Sequence, residues 1–148
     1  MRKYLNIDKL ADSTLINPYT RFSNLALTLP ESDYPSLQSA FSQPPDCGET
    51  SYVGRGRLRG RHALITGGDS GIGRAIAIAY AREGANVAIN YLPAEEEDAQ
   101  AVEDVLARDG LSLVRIPGNL LNETFCAELV YTAYERLDGL DILVNNAA

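Results

Sequence analysis

Residues 64–73, Leu-Ile-Thr-Gly-Gly-Asp-Ser-Gly-Ile-Gly, constrain this chain more than any other stretch. An apolar strand runs into a glycine-rich turn, and a helix follows at once. Glycines at 67, 71 and 73 let the backbone come close to a bulky anion. The unpaired N–H groups at the helix start point at that anion, with the positive end of the helix dipole behind them. Paired phosphates of a dinucleotide fit such a site. The spacing Gly-x-x-x-Gly-x-Gly is one residue looser than the Gly-x-Gly-x-x-Gly fingerprint, and glycines also merely close tight turns. The strand–turn–helix context favours nucleotide binding over the plain turn.

The surrounding pattern supplies that context. Strands are predicted over 62–66, 86–91, 112–116 and 141–145, with helices over 71–83, 94–108 and 122–137. Gly84 and Gly110 stand where the first two helices should end. On the first helix Ile72, Ala75, Ile76, Ala79 and Tyr80 recur at steps of three and four, predicting the face that lies on the sheet. Ala99, Val102 and Leu106 do the same on the second, whose first turn carries Glu95, Glu96, Glu97 and Asp98. Alternating strands and helices predict right-handed crossovers and an α/β fold with a parallel sheet. Four strands of this kind imply the order 3-2-1-4, a Rossmann-like arrangement with helices on its faces. Ligand then belongs at the carboxyl ends of strands one and four, where residues 67–73 and 145–148 fall.

Composition narrows the classes. With 148 residues and 45% hydrophobic content, the chain can build one core. A net charge of -7 and a pI near 4.6 argue against nucleic acid as a partner, Arg74 beside the glycine turn being a local exception. Cys47 and Cys126 lie far apart with no ligand partners, so neither zinc nor a disulfide is expected, and free thiols suit the cytoplasm. No run of about 18 apolar residues predicts a membrane span, and Met1-Arg2-Lys3-Tyr4 is not followed by a secretory apolar core. Asp8 and Asp12 disfavour a mitochondrial presequence. The chain divides near residue 55. Residues 1–55 read as a largely irregular N-terminal arm with short helical turns around Leu5–Leu10 and Tyr34–Phe41. The Pro- and Gly-rich stretch 43–60 reads as a linker or surface wrap, and 56–148 as the domain. His62 reads as a strand-edge residue, and the 95–98 run as a helix start exposed to water, not a metal site.

Thr66-Gly67-(x)3-Gly71-Ile72-Gly73, together with Asn145-Asn146-Ala147 at the end of strand four, resembles the short-chain dehydrogenase/reductase superfamily. The run LRGRHALITGGDSGIGRAIAIAYAREGANVAINYLPAEEEDA, with QPPDCGETSYVGRGRL before it, is similar to a bacterial-type, stress-associated subgroup acting on aldehydes or sugars. The resemblance covers residues 43–148. It implies that Gly67, Gly71 and Gly73 cradle the pyrophosphate, with Asp69, Ser70 and Ile72 beside them. Asn90 and Tyr91 fall at the adenosine ribose, Asn119 and Leu120 beside the adenine, and Asn145 and Ala147 along the cofactor. The Asn-Asn-Ala turn ends in Ala148 where the family has glycine. Strand two ends without an Asp or Glu to repel a 2′-phosphate, and no basic residue precedes Gly71, leaving Arg74 as a substitute. The lean is to NADP(H) over NAD(H).

The same resemblance implies a catalytic Tyr-x-x-x-Lys pair, a Ser and an Asn, all downstream of the Asn-Asn-Ala turn. None of the eight tyrosines has a lysine four residues on, and both lysines, Lys3 and Lys9, are in the N-terminal arm. No catalytic residue is assigned. The expectation is therefore the cofactor-binding, N-terminal half of an oxidoreductase that transfers hydride to or from a small carbonyl or alcohol, inactive by itself and a homo-oligomer when full-length. The alternative is a non-catalytic nucleotide-binding or interaction fragment; a flavin or S-adenosylmethionine protein fits the spacing less well. Strand four, with Ile142, Leu143 and Val144, is expected to leave an apolar edge prone to association.

Overall fold

Each strand is a short run of β-branched and aliphatic residues, and the sheet they form sets every other position in the domain. The computed structural model describes residues 37–41 and 44–147. The turn expected around Leu5–Leu10 lies outside the described residues. The elements are β1 (His62–Thr66), α1 (Gly71–Arg82), β2 (Asn86–Tyr91), α2 (Glu96–Arg108), β3 (Leu113–Pro117), α3 (Glu123–Leu137) and β4 (Ile142–Val144). A 3-10 turn at Gln38–Ala40 precedes them, and another at Pro93–Glu95 leads into α2. All pairings are parallel, in the order β3-β2-β1-β4. That is the order the crossover pattern implies.

Strand alternation sends neighbouring residues to opposite faces. Ile65, Val87 and Ile89 meet Ile78 of α1 and Val102 and Leu106 of α2 on one face. Leu64, Ala88 and Ile116 meet Leu129, Ala133 and Leu137 of α3 on the other. Helices therefore cover both faces, and the crevice between β1 and β4 is the switch point where the connections change sides.

The face of α1 differs from the expected one. Gly73, Arg74, Ala77, Ile78 and Ala81 are buried, whereas Ile72 is 74% exposed and Ala75, Ile76 and Tyr80 only flank the core. The stripe is rotated by one residue because helix and turn touch at the smallest side chains. A Cβ on Gly73 would sit 1.8 Å from the Gly67 carbonyl oxygen. On α2 the inner face uses Ala99, Val102 and Leu106 as expected, and adds Asp98. The 95–98 run is thus not wholly a solvated one. Asp98 is buried and accepts the backbone N–H groups of Gln38 (2.6 Å) and Ser39 (3.1 Å).

The segment before β1 lies on the domain. Glu83, at the C-terminal end of α1, is the anchor. Its carboxylate accepts from Tyr52 Oη (2.6 Å), Arg57 Nε (2.9 Å) and the backbone N–H groups of Arg55 (3.0 Å) and Arg57 (2.9 Å). The Arg57 guanidinium and the Tyr52 hydroxyl hold Glu83 far below the usual carboxylate range. Arg82 donates to the carbonyls of Gly48 (2.6 Å), Tyr52 (3.0 Å) and Glu49 (2.7 Å). Among the described residues no helix is long and apolar enough to cross a membrane.

Candidate functional site

A cleft of about 730 Å³ opens at the carboxyl ends of the strands. Gly67, Asp69, Ser70, Gly71 and Ile72 form one wall, where β1 turns into α1. Asn90, Tyr91, Leu92 and Glu95 follow from the end of β2, Gly118–Leu121 from the end of β3, and Asn146 and Ala147 from the end of β4. Ten of the twelve residues singled out from the sequence line it: Gly67, Asp69, Ser70, Gly71, Ile72, Asn90, Tyr91, Asn119, Leu120 and Ala147. Gly73 and Asn145 do not. Gly73 packs against Gly67 below the turn, and Asn145 is exposed.

The turn itself is built for close approach. Gly71 has φ +52, a backbone conformation that side chains disfavour, and nothing lies within 4 Å of where its Cβ would stand. Ser70 is the N-cap of α1 but makes no side-chain capping bond. The first intrahelical backbone bond comes from the Arg74 N–H to Ser70 O (3.0 Å), and among the described residues the Ile72 and Gly73 N–H groups have no acceptor. Beside them Asp69 is 2% exposed, and its Oδ2 has no hydrogen-bond partner among the described residues. Burial first, and the Glu95 carboxylate second, push its pKa up to about 6.

The asparagines mostly tie strand ends together. Asn90 Nδ2 donates to the carbonyls of Ile116 and Gly118, both at 3.1 Å. Asn146 Nδ2 donates to those of Thr66 and Gly67, both at 3.0 Å, while the Asn146 and Ala147 N–H groups converge on Thr66 Oγ1 at 3.0 and 3.1 Å. Asn119 Oδ1 accepts from the Leu121 N–H at 2.9 Å. The Tyr91 hydroxyl donates to Glu96 Oε2 (2.6 Å), and burial with that carboxylate raises its pKa to about 12.

Two features depart from the sequence reading. Arg74, weighed there as a substitute phosphate clamp, is buried, and its Nε donates to Glu49 Oε1 at 3.0 Å. It is not among the cleft residues. The Glu49 carboxylate holds it on the far side of α1. Glu95, in contrast, lines the cleft, its Oε2 accepting the Leu92 N–H at 2.9 Å. Leu92 at the entry has no side chain to complete a capping box, so the sequence carries no capping signal for Glu95. Asn146 lines the cleft where the sequence assigns its neighbours Asn145 and Ala147; its place in the Asn-Asn-Ala turn is the signal that could locate it, whereas Leu92, Gly118 and the 93% exposed Leu121 carry none of their own. Among the described residues no cluster of three or more His, Cys, Asp or Glu could hold a metal. His62 pairs with Asp141 (3.3 Å) at the opposite end of β1. Cys47 and Cys126 are both free thiols.

A wall of backbone N–H donors, two carboxylates and an apolar rim of Ile72 and Leu121 can accept hydroxyls and hold an anion through amides alone. The family profile described as short chain dehydrogenase matches residues 61–148. The chain belongs to the short-chain dehydrogenase family. It is 52% identical over 134 residues to the uncharacterized oxidoreductase YhxD of Bacillus subtilis, covering 90% of this chain and 45% of that one. General stress protein 39 of the same organism is 44% identical over 117 residues, covering 79% of this chain and 41% of its own. A short-chain dehydrogenase from Burkholderia cenocepacia, solved in complex with NADP, matches with a TM-score of 0.59 and 42% identity over 62% of this chain and 37% of that one. The chain thus spans less than half the length of the family members it matches, and its sheet order and helix placement are theirs.

Proposed function

We propose that this chain binds a nicotinamide dinucleotide across the carboxyl ends of β1, β2, β3 and β4 and is the cofactor-binding part of an oxidoreductase acting on a small carbonyl or alcohol. One observation carries the reading. The start of α1, with its Ile72 N–H unpaired among the described residues, opens on one cleft whose wall includes Asp69, a donor set for phosphates. Gly71, with open space at its Cβ position, supplies the cradle. The Ile72 and Gly73 N–H groups bind the paired phosphates. Asp69 and the end of β2, Asn90 and Tyr91, lie at the adenosine ribose, and Asn119 and Leu120 flank the adenine. When bound, the nicotinamide would give hydride to a carbonyl or take it from an alcohol; the chain's residues would hold and orient it. NADP(H) is the preferred form, supported by the absence of an acid at 90–91 and by the NADP bound in the Burkholderia cenocepacia relative; the Glu95 carboxylate in the cleft opposes a 2′-phosphate and narrows the preference without reversing it. No side chain in this chain is assigned to proton transfer; the proposed setting is the cytoplasm, without nucleic acid, and the full-length form is proposed to be a homo-oligomer.

Isothermal calorimetry tests the reading. NADP(H) is expected to bind the 148-residue chain with micromolar affinity, about -8 kcal/mol, and NAD(H) more weakly. No heat with either would end the proposal. The half-exposed Leu143 on β4 favours a second reading, an interaction module; pairing without dinucleotide binding would select it. Turnover of simple aldehydes by this chain is not expected.

A further inference from the structure

The glycine turn is fixed from outside itself. An N-cap side chain normally satisfies a first-turn amide of its own helix, but Ser70 does not. In its place Gln38 is 5% exposed, and its Oε1 accepts the Gly71 N–H at 2.7 Å from 33 positions upstream. The Gly71 carbonyl is engaged from the same side by the Cys47 thiol, which donates to it at 3.4 Å. Gln38 is seated in turn by its own N–H on Asp98 Oδ2 (2.6 Å), so the contact reaches back into α2. Both polar backbone groups of Gly71, which with Gly67 is one of the two left-handed glycines of this turn, are thus held by the segment before the domain.

We propose that Gln38 is a positioning residue for the dinucleotide-binding turn: by taking the Gly71 amide it locks that residue's backbone and leaves the Ile72 and Gly73 amides to the phosphates. The inference rests on the dinucleotide reading given above. Without the Gln38 acceptor, the Gly71 N–H is left with only water or the phosphate itself as partner. Gly71, unrestrained by a side chain, then samples other conformations, and binding must reorder it. Gln38 does not touch the dinucleotide; it acts through Gly71.

The test uses the 148-residue chain with NAD(H) and NADP(H) as probes. Gln38→Met keeps an unbranched side chain of similar length and removes the acceptor. Glu83→Gln loosens the same N-terminal segment at residues 52–57, far from Gly71, and controls for general destabilisation. Gln38→Met is expected to weaken both dinucleotides about tenfold, the size of one buried hydrogen bond, and to shift and deprotect the Gly71 amide resonance. Glu83→Gln is expected to leave affinity within about twofold. Equal affinity in Gln38→Met and the parent overturns the proposal, as does an equal loss in both variants. A second measurement needs no variant: a scalar coupling across the hydrogen bond from Gly71 nitrogen to the Gln38 side-chain carbonyl carbon in the parent. Its absence, with fast exchange of the Gly71 amide, also overturns the proposal. If the parent binds neither dinucleotide, the functional reading fails and this one with it; binding by the parent with no effect of Gln38→Met sinks this one alone.

Discussion

Asp69 and Glu95 are the residues whose chemistry is most exposed to test, because they place two carboxylates in a cleft with no cation among its lining. Burial and Glu95 push Asp69 up to about 6, whereas an unfolded aspartate titrates near 3.9. Between those values the folded protein keeps a proton that the unfolded chain has released, so stability falls as pH rises through the window and is level above it. Asp69→Asn is therefore expected to stabilise the protein by roughly 1–2 kcal/mol at pH 8 and hardly at all at pH 4; denaturant melts at both pH values check this, and an equal effect at both contradicts it. On the proposed dinucleotide reading, Glu95 bears on selectivity. Its carboxylate stands at the end of β2, where the 2′ group of an adenosine ribose would come. Glu95→Gln should shift the ratio of affinities toward NADP(H) by several-fold through lost repulsion, read by calorimetry with both cofactors. An unchanged ratio would place the 2′ group elsewhere.

At the scale of elements, the contact between α1 and the turn below it depends on what is missing from Gly73. With the Gly67 oxygen 1.8 Å from an added Cβ, backbone meets backbone and no flexible side chain can yield. Gly73→Ala must move α1 off the sheet, and is expected to cost about 2–3 kcal/mol despite the better helix propensity of alanine. Urea denaturation measures it, and a neutral or stabilising result would show that the helix shifts freely. The two sheet edges differ as well. β3 carries Arg115, whose guanidinium pairs with Glu96 and Glu103, and ends at Pro117, features that blunt an edge. β4 is Ile142-Leu143-Val144 and carries no charge.

For the 148-residue chain taken by itself, that asymmetry bears on association. β4 pairs with β1 on one side, and Leu143 is 49% exposed beside it. An apolar strand at a sheet edge is a template for pairing with another chain. The 148-residue chain by itself is expected to associate at micromolar concentration, and Leu143→Lys to return it toward monomer without changing dinucleotide affinity; sedimentation velocity and calorimetry together decide this. A parent that stays monomeric at high concentration would show the edge to be protected.

The residues by themselves determined the order of elements, the parallel sheet with strands 3-2-1-4 and the end of the sheet at which a ligand belongs. Those follow from local signals: aliphatic runs, helical periods, and glycines where the chain must turn between them. Periodicity could not choose between two adjacent stripes of α1, since Ile72, Ala75 and Ile76 repeat as regularly as Gly73, Ala77 and Ala81. Closest approach to the sheet decided for the smaller set. Only the tertiary structure drew Arg74 away to Glu49, buried Asp98 under Gln38 and Ser39 and set Gln38 on the Gly71 amide. Each joins segments at least 25 residues apart. A contact between distant segments has no spacing to announce it; it exists only once the sheet has brought both partners to one place.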